Sequence, residues 1–184
     1  MADLSNKKVL VLASNRGVEQ DELVSPVESL RSAGAKVEIA APQQDKIQTL
    51  VGDWDSGKIL EADLAFETVD DEKFDLLLVP GGTLNADNLR VDDEAQRIIK
   101  SFAATGRPVA SICHGPWLLV ETGLVRGKTL TSYQSIKTDV VNAGGQWVDE
   151  EVFRCPAGKF VLITSRNPGD LDAFNAAIIE ELGA

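Results

Sequence analysis

Three short apolar runs constrain this chain more than anything else in it. Residues 8–13 (KVLVLA), 75–79 (DLLLV) and 109–112 (VASI) are aliphatic and β-branched without polar alternation, the pattern of strands buried on both faces of a parallel sheet. Each run stops on turn-forming residues: Ser14-Asn15-Arg16-Gly17, Pro80-Gly81-Gly82, and Cys113-His114-Gly115-Pro116. Segments with helical spacing lie between them. Leu23, Val27 and Leu30 recur over residues 19–33, with Glu19, Asp21 and Glu22 near the start and Gly34 after the end, as a helix requires. Pro26 predicts a kink or a restart within it. Residues 36–42 (KVEIAAP) read as the next strand, so 8–42 forms a right-handed β-α-β unit.

Further along, weak edge strands are expected near 48–51 and 62–67, and helices over 92–105, 116–122 and 135–143. A strand is expected at 129–132, a hairpin at 147–154 and 159–165, and a terminal helix over 171–182 capped by Asp170. Alternating strands and helices predict an α/β sandwich with a mostly parallel central sheet, and ligands of such sheets bind at the carboxyl ends of the strands. Three candidate features fall there: the segment after the first strand, Pro80-Gly81-Gly82, and Cys113-His114.

The chemistry of the third feature depends on the turn. Pro116 suits the first turn of a helix, so Cys113 stands on a strand-to-helix elbow. A helix N-terminus there would favour the thiolate and lower the thiol pKa. A small buried core cysteine is the competing reading. Gly81 and Gly82 permit backbone N–H groups to converge as an anion nest, or simply make a sharp turn.

Length and charge remove several function classes. The 184 residues, 43% hydrophobic and 26% charged, fit one domain spanning 1–184. With 29 acids and 18 bases the net charge is −11, which opposes electrostatic binding to nucleic acid or anionic lipid. No apolar leader or membrane-length run is evident, so the expected location is cytoplasmic. The two cysteines are expected to stay reduced there, with Cys155 a bystander. One histidine rules out histidine-rich metal sites.

The motifs resemble those of the ThiJ/PfpI superfamily, a branch of the class I glutamine amidotransferase-like fold that includes the Parkinson's-associated protein deglycase. The resemblance is nearest to the PfpI-type intracellular protease and general stress protein branch. It rests on GVEQDELVSP (17–26), DLLLVPGG (75–82), LRVDDEAQ (89–96), RPVASICHGPWLLVETGLVRGKTLTSY (107–133), NAGGQWVDEEV (142–152) and SRNPGDLDAF (165–174). It implies a flavodoxin-like three-layer sandwich with a nucleophile-elbow cysteine. Cys113 matches the nucleophile. Glu22, rather than Glu19 one turn earlier, matches the acid at its sulfur.

His114 matches the family histidine. Its acid partner would be Asp87 from across a subunit interface, where the archetypal protease has the longer glutamate. The backbone at Gly81, Gly82 and His114 would supply the oxyanion hole, and Tyr133 would border the pocket. Adjacent residues on a turn tend to point apart, so Cys113 and His114 need not pair within one chain. No histidine follows His114, which sets this chain apart from glutamine amidotransferases. The implied activity is deglycase or glyoxalase-like attack on carbonyl carbons of small carbonyl compounds or modified proteins, without metal or organic cofactor. The alternatives are a PfpI-type cysteine peptidase and an oxidative-stress sensor working through Cys113 oxidation. Self-association as a homodimer or hexamer is implied as well.

Overall fold

The computed structural model describes residues 3–184. Its first half runs β1 (Lys8–Leu12), β2 (Arg16–Glu19), α1 (Gln20–Ser32), β3 (Lys36–Ala41), β4 (Lys46–Val51), β5 (Asp55–Glu61), β6 (Leu64–Ala65), β7 (Leu76–Val79) and α2 (Thr83–Arg90). The second half runs α3 (Asp93–Thr105), β8 (Val109–Ile112), α4 (Pro116–Glu121), β9 (Thr129–Leu130), α5 (Lys137–Asn142), β10 (Gln146–Trp147), β11 (Val152–Cys155), β12 (Leu162–Ser165) and α6 (Leu171–Gly183).

Seven strands form the central sheet in the order β11-β12-β8-β7-β1-β3-β6, parallel throughout except for β11 at one edge. The three apolar runs supply its middle, β8-β7-β1. Alternate residues serve opposite faces. Val9, Val11, Leu76 and Leu78 pack with Leu23, Val27 and Leu30 of α1 and Phe174 and Ile178 of α6. Leu10, Leu12, Leu77 and Val79 pack with Ile98, Ile99 and Phe102 of α3 and Leu118 and Leu119 of α4. Fully burying each such side chain is worth roughly 1.5–3 kcal/mol, so the middle strands hold the sheet and fix where their ends lie. The order reverses between β1 and β7, the place where such sheets open a crevice at their carboxyl ends.

Several local expectations are corrected. Of the turn expected over 14–17 only Ser14 and Asn15 remain, because Arg16 and Gly17 already belong to β2, which joins β4 and β5 in a separate three-stranded sheet. The strand expected at 62–67 shrinks to the two residues of β6 at the edge of the central sheet, and β5 before it pairs with β4 in the separate sheet. The 129–132 strand is limited to two residues and pairs with β10. The hairpin is confirmed for β11 with β12, while β10 lies apart from it. The helix expected over 135–143 starts at Lys137, after a 3-10 turn. α1 runs unbroken through Pro26, which leaves the Glu22 carbonyl, four residues earlier, without its helical donor. Asp170 precedes α6 without a side-chain cap bond, because its carboxylate is held by Arg166 at 2.8 and 2.9 Å.

Candidate active site

Cys113 directly follows β8 with φ 63°, a left-handed conformation that only one other non-glycine residue, Asp53, adopts among the described residues. Such strain costs about 1–3 kcal/mol and persists only when neighbours enforce it. They do so here. The Cys113 amide donates to the Ser165 carbonyl of β12 at 3.1 Å, and its carbonyl accepts from the Tyr133 amide at 2.8 Å. Gly115 is required behind the elbow, since a Cβ there would lie 2.6 Å from the Val79 carbonyl and 2.6 Å from Ser111 Oγ.

Glu22 is fully buried on α1 and reaches under the elbow. Its Oε2 accepts from the Gly81 amide at 2.9 Å, Oε1 has no nitrogen or oxygen partner, and the carboxyl also meets the Cys113 thiol. Burial pushes the Glu22 carboxyl up to about 8, with the nearby Glu19 charge acting in the same direction. At neutral pH it is therefore largely protonated and able to donate to sulfur. Glu19 serves elsewhere. Its carboxylate accepts from the Gly52 and Asp53 amides, both at 3.1 Å, and anchors the turn between β4 and β5.

The glycine pair divides its labour instead of forming one nest. The Gly81 amide is spent on Glu22, whereas the Gly82 amide, with that of His114, faces the Cys113 sulfur. Gly81 also permits close approach, because a Cβ there would lie 2.5 Å from Glu22 Oε2 and 2.7 Å from Cys113 Cβ.

Two sequence expectations about the cysteine fail. Burial raises the Cys113 thiol pKa above its ordinary value, and the Glu22 charge adds to the effect; the two amides oppose it without prevailing. Deprotonation of the sulfur is thus tied to where the Glu22 proton resides. The second correction concerns His114, whose ring does not turn away. The αL elbow brings Nδ1 to 3.2 Å from Cys113 Sγ, and Nε2 lies 3.0 Å from Ser135 Oγ. Burial holds the imidazole below its ordinary pKa, against the opposing charge of Asp53, so it is neutral near pH 7. Tyr133 stacks on it with ring centroids 4.7 Å apart, and Trp117 lies tilted at 5.4 Å.

Glu22, Gly82, Cys113, His114 and Tyr133 line one cleft of about 670 Å³, together with residues that sequence reasoning missed: Asp53, Thr83 and Ser135. Asp87 is exposed on α2 and does not line it. Within the chain, Ser135 stands where an acid partner of His114 is expected from the sequence. Cys155 is buried at the far end of β11, with Thr129 N at 3.4 Å from its sulfur. Among the described residues no three His, Cys, Asp or Glu side chains gather as a metal site, and no helix is long and apolar enough to cross a membrane.

A cysteine on a strained strand-to-helix elbow, with a buried acid beneath and a histidine beside it, defines an α/β protein of nucleophile-elbow type. Residues 7–181 match the DJ-1/PfpI family, and the chain belongs to it. A deglycase of Thermococcus kodakarensis is 38% identical over 175 residues, spanning 95% of this chain and 99% of that protein. Protein/nucleic acid deglycase 2 of Escherichia coli is 37% identical over 179 residues, spanning 97% and 99%. The crystal structure of Drosophila melanogaster DJ-1beta superposes with a TM-score of 0.85 at 31% identity, covering 96% of this chain and 90% of that one.

Proposed function

We propose that this protein is a cytoplasmic, self-associating stress-protective enzyme that uses Cys113 to attack the carbonyl carbon of 2-oxoaldehydes or of the early adducts they leave on proteins, with no metal or organic cofactor. The observation that carries the reading is the convergence on one sulfur of a protonatable Glu22 carboxyl, His114 Nδ1 at 3.2 Å, and the Gly82 and His114 amides. Sulfur adds to the aldehyde carbon, forming a C–S bond as the π pair moves to oxygen. The thiol proton passes to His114, and Glu22 or the protonated histidine returns one to the new alkoxide. The backbone amides stabilise the oxyanion while it lasts. The C–H proton of that carbon then moves to the neighbouring ketone carbon and the hydroxyl proton to the ketone oxygen, leaving a 2-hydroxy thioester, which water hydrolyses to a 2-hydroxy acid and the free thiol. No external oxidant or reductant is needed.

The names of the Thermococcus and Escherichia relatives support carbonyl-adduct chemistry. A peptidase triad would require Asp87 from another copy to reach His114, whose Nε2 already has the Ser135 hydroxyl beside it. The test is turnover of methylglyoxal and of methylglyoxal-treated peptide by Cys113→Ala and Cys155→Ser. The first is expected to lose all measurable activity and the second to keep it; wild-type rates in Cys113→Ala would sink the proposal.

A further inference from the structure

A second cleft, of about 480 Å³, opens at the opposite end of the sheet from Cys113. It lies among the last turn of α3, the 123–128 turn after α4, and the 156–160 turn between β11 and β12, at the amino ends of β8 and β12. Of its twelve lining residues four are cationic, Lys100, Arg126, Lys128 and Lys159, and none is acidic. In a chain with 29 acids and 18 bases, that is the reverse of the molecule's own balance. None of the four forms an ion pair among the described residues.

Lys128 is the most telling of them. It is only 4% exposed, and burying a charge is costly unless it is paired. Its ammonium donates to the Ala157 and Phe160 carbonyls and sits 3.8 Å from the Phe160 ring centroid. An ammonium has three N–H groups; beyond the two carbonyls and the Phe160 ring, Lys128 has no oxygen or nitrogen acceptor and no anion beside it among the described residues. Gly158, with φ +79°, passes close to the ammonium: a Cβ on it would stand 3.9 Å from Lys128 Nζ. Leu124 and Phe160 give the cleft an apolar wall.

We propose that this cleft is a second ligand site, built for a phosphate monoester with an apolar body: the dianionic head supplies the counter-charge that Lys128 lacks, Arg126 and Lys159 close on it, and the body covers Leu124 and Phe160. Several cations without an acid select a dianion over a carboxylate. The site is independent of the carbonyl chemistry at Cys113.

Phenyl phosphate serves as the probe, titrated into the full chain while backbone amide resonances are followed by NMR. Saturable shifts are expected at Gly127, Gly158 and Lys159. Inorganic phosphate, phenol and benzoate should each bind at least about tenfold more weakly, since each lacks one half of the recognition. Arg126 and Lys159 are exposed, so the double variant Arg126→Glu/Lys159→Glu should fold and lose affinity by about a hundredfold. Lys128→Gln, checked for folding by the same spectrum, should lose about tenfold or more. Absence of saturation, shifts confined to the Cys113 cleft, or unchanged affinity in the charge-reversed variant would overturn the proposal.

Discussion

At Glu22 the cost of burial decides the chemistry. The folded protein holds this carboxyl at about 8 against an ordinary 4.5, chiefly because burial disfavours the anion. Between those values the folded state keeps a proton that the unfolded chain releases, so stability falls as pH rises through the window. His114 is shifted the other way, below 6.5, so its effect is felt only as pH drops beneath that value. From pH 6.5 to 8, then, Glu22 is the shifted group that governs the slope. Wild type should lose on the order of 2 kcal/mol across that stretch. Glu22→Gln, which keeps a donor for the sulfur and cannot ionise, should stay flat in urea denaturation at the same pH values; a parallel decline in the variant would refute this account. Cys113 was legible because the turn and helix-start signals around it are local, whereas Glu22 was picked out only by the motif it shares with the family the chain resembles. Ser135 and Asp53 were not, because they meet His114's surroundings from 21 residues downstream and from a separate hairpin. Nothing in their own sequence context marks those encounters.

The elements around the site divide along the same line. β1, β7, β8, α1, α3 and α6 could be read because their apolar periodicity reports a buried face. Of the sheet of β2, β4 and β5 only part of β4, expected near 48–51, could be read, since β5 (DSGKILE) has no fully buried residue and takes its shape from pairing with β4. α2 (TLNADNLR) was missed for a related reason: it buries Asn85, Ala86 and Leu89 only, too few apolar positions to signal a helix. Its N-cap is Gly82, which has no side chain to cap with. Asp53 fills that role from across the fold, accepting from Thr83 N and Thr83 Oγ1, both at 2.7 Å. The β4–β5 turn and α2 therefore stand or fall together. Asp53→Ala should destabilise by about 1–3 kcal/mol, from the lost cap and the αL penalty at φ 61°. Asp53→Asn, which tolerates αL and keeps an acceptor, should recover most of it. Hydrogen exchange would place the loosening at the α2 amides; protection unchanged there would contradict the shared-cap account.

Across the whole molecule, the same turn carries the most exposed large apolar side chain among the described residues, Trp54 at 88%, and the β5 strand that follows carries Ile59 at 59%. Leu84, on the α2 that Asp53 clips to this turn, is exposed as well. We place the proposed self-association on these exposed apolar residues, tryptophan being among the residue types enriched at binding hot spots. Leu84 and Asp87 are three residues apart on α2 and share a face. A copy covering Leu84 would thus also meet Asp87, which makes the acid's contribution to a neighbouring site conditional on assembly. Sedimentation of the wild type should give a dimer or larger species at micromolar concentration. Trp54→Glu should weaken that assembly by about a hundredfold or more, while its circular dichroism stays native because the side chain is largely exposed. Activity measured on both sides of the dissociation midpoint then separates two possibilities. If turnover falls as the assembly dissociates, and Asp87→Ala lowers it only in the assembled form, the acid acts across the interface. If turnover per chain is constant through the midpoint, the Cys113, Glu22, His114 and Ser135 group within one chain suffices, and Asp87 has no part in the chemistry.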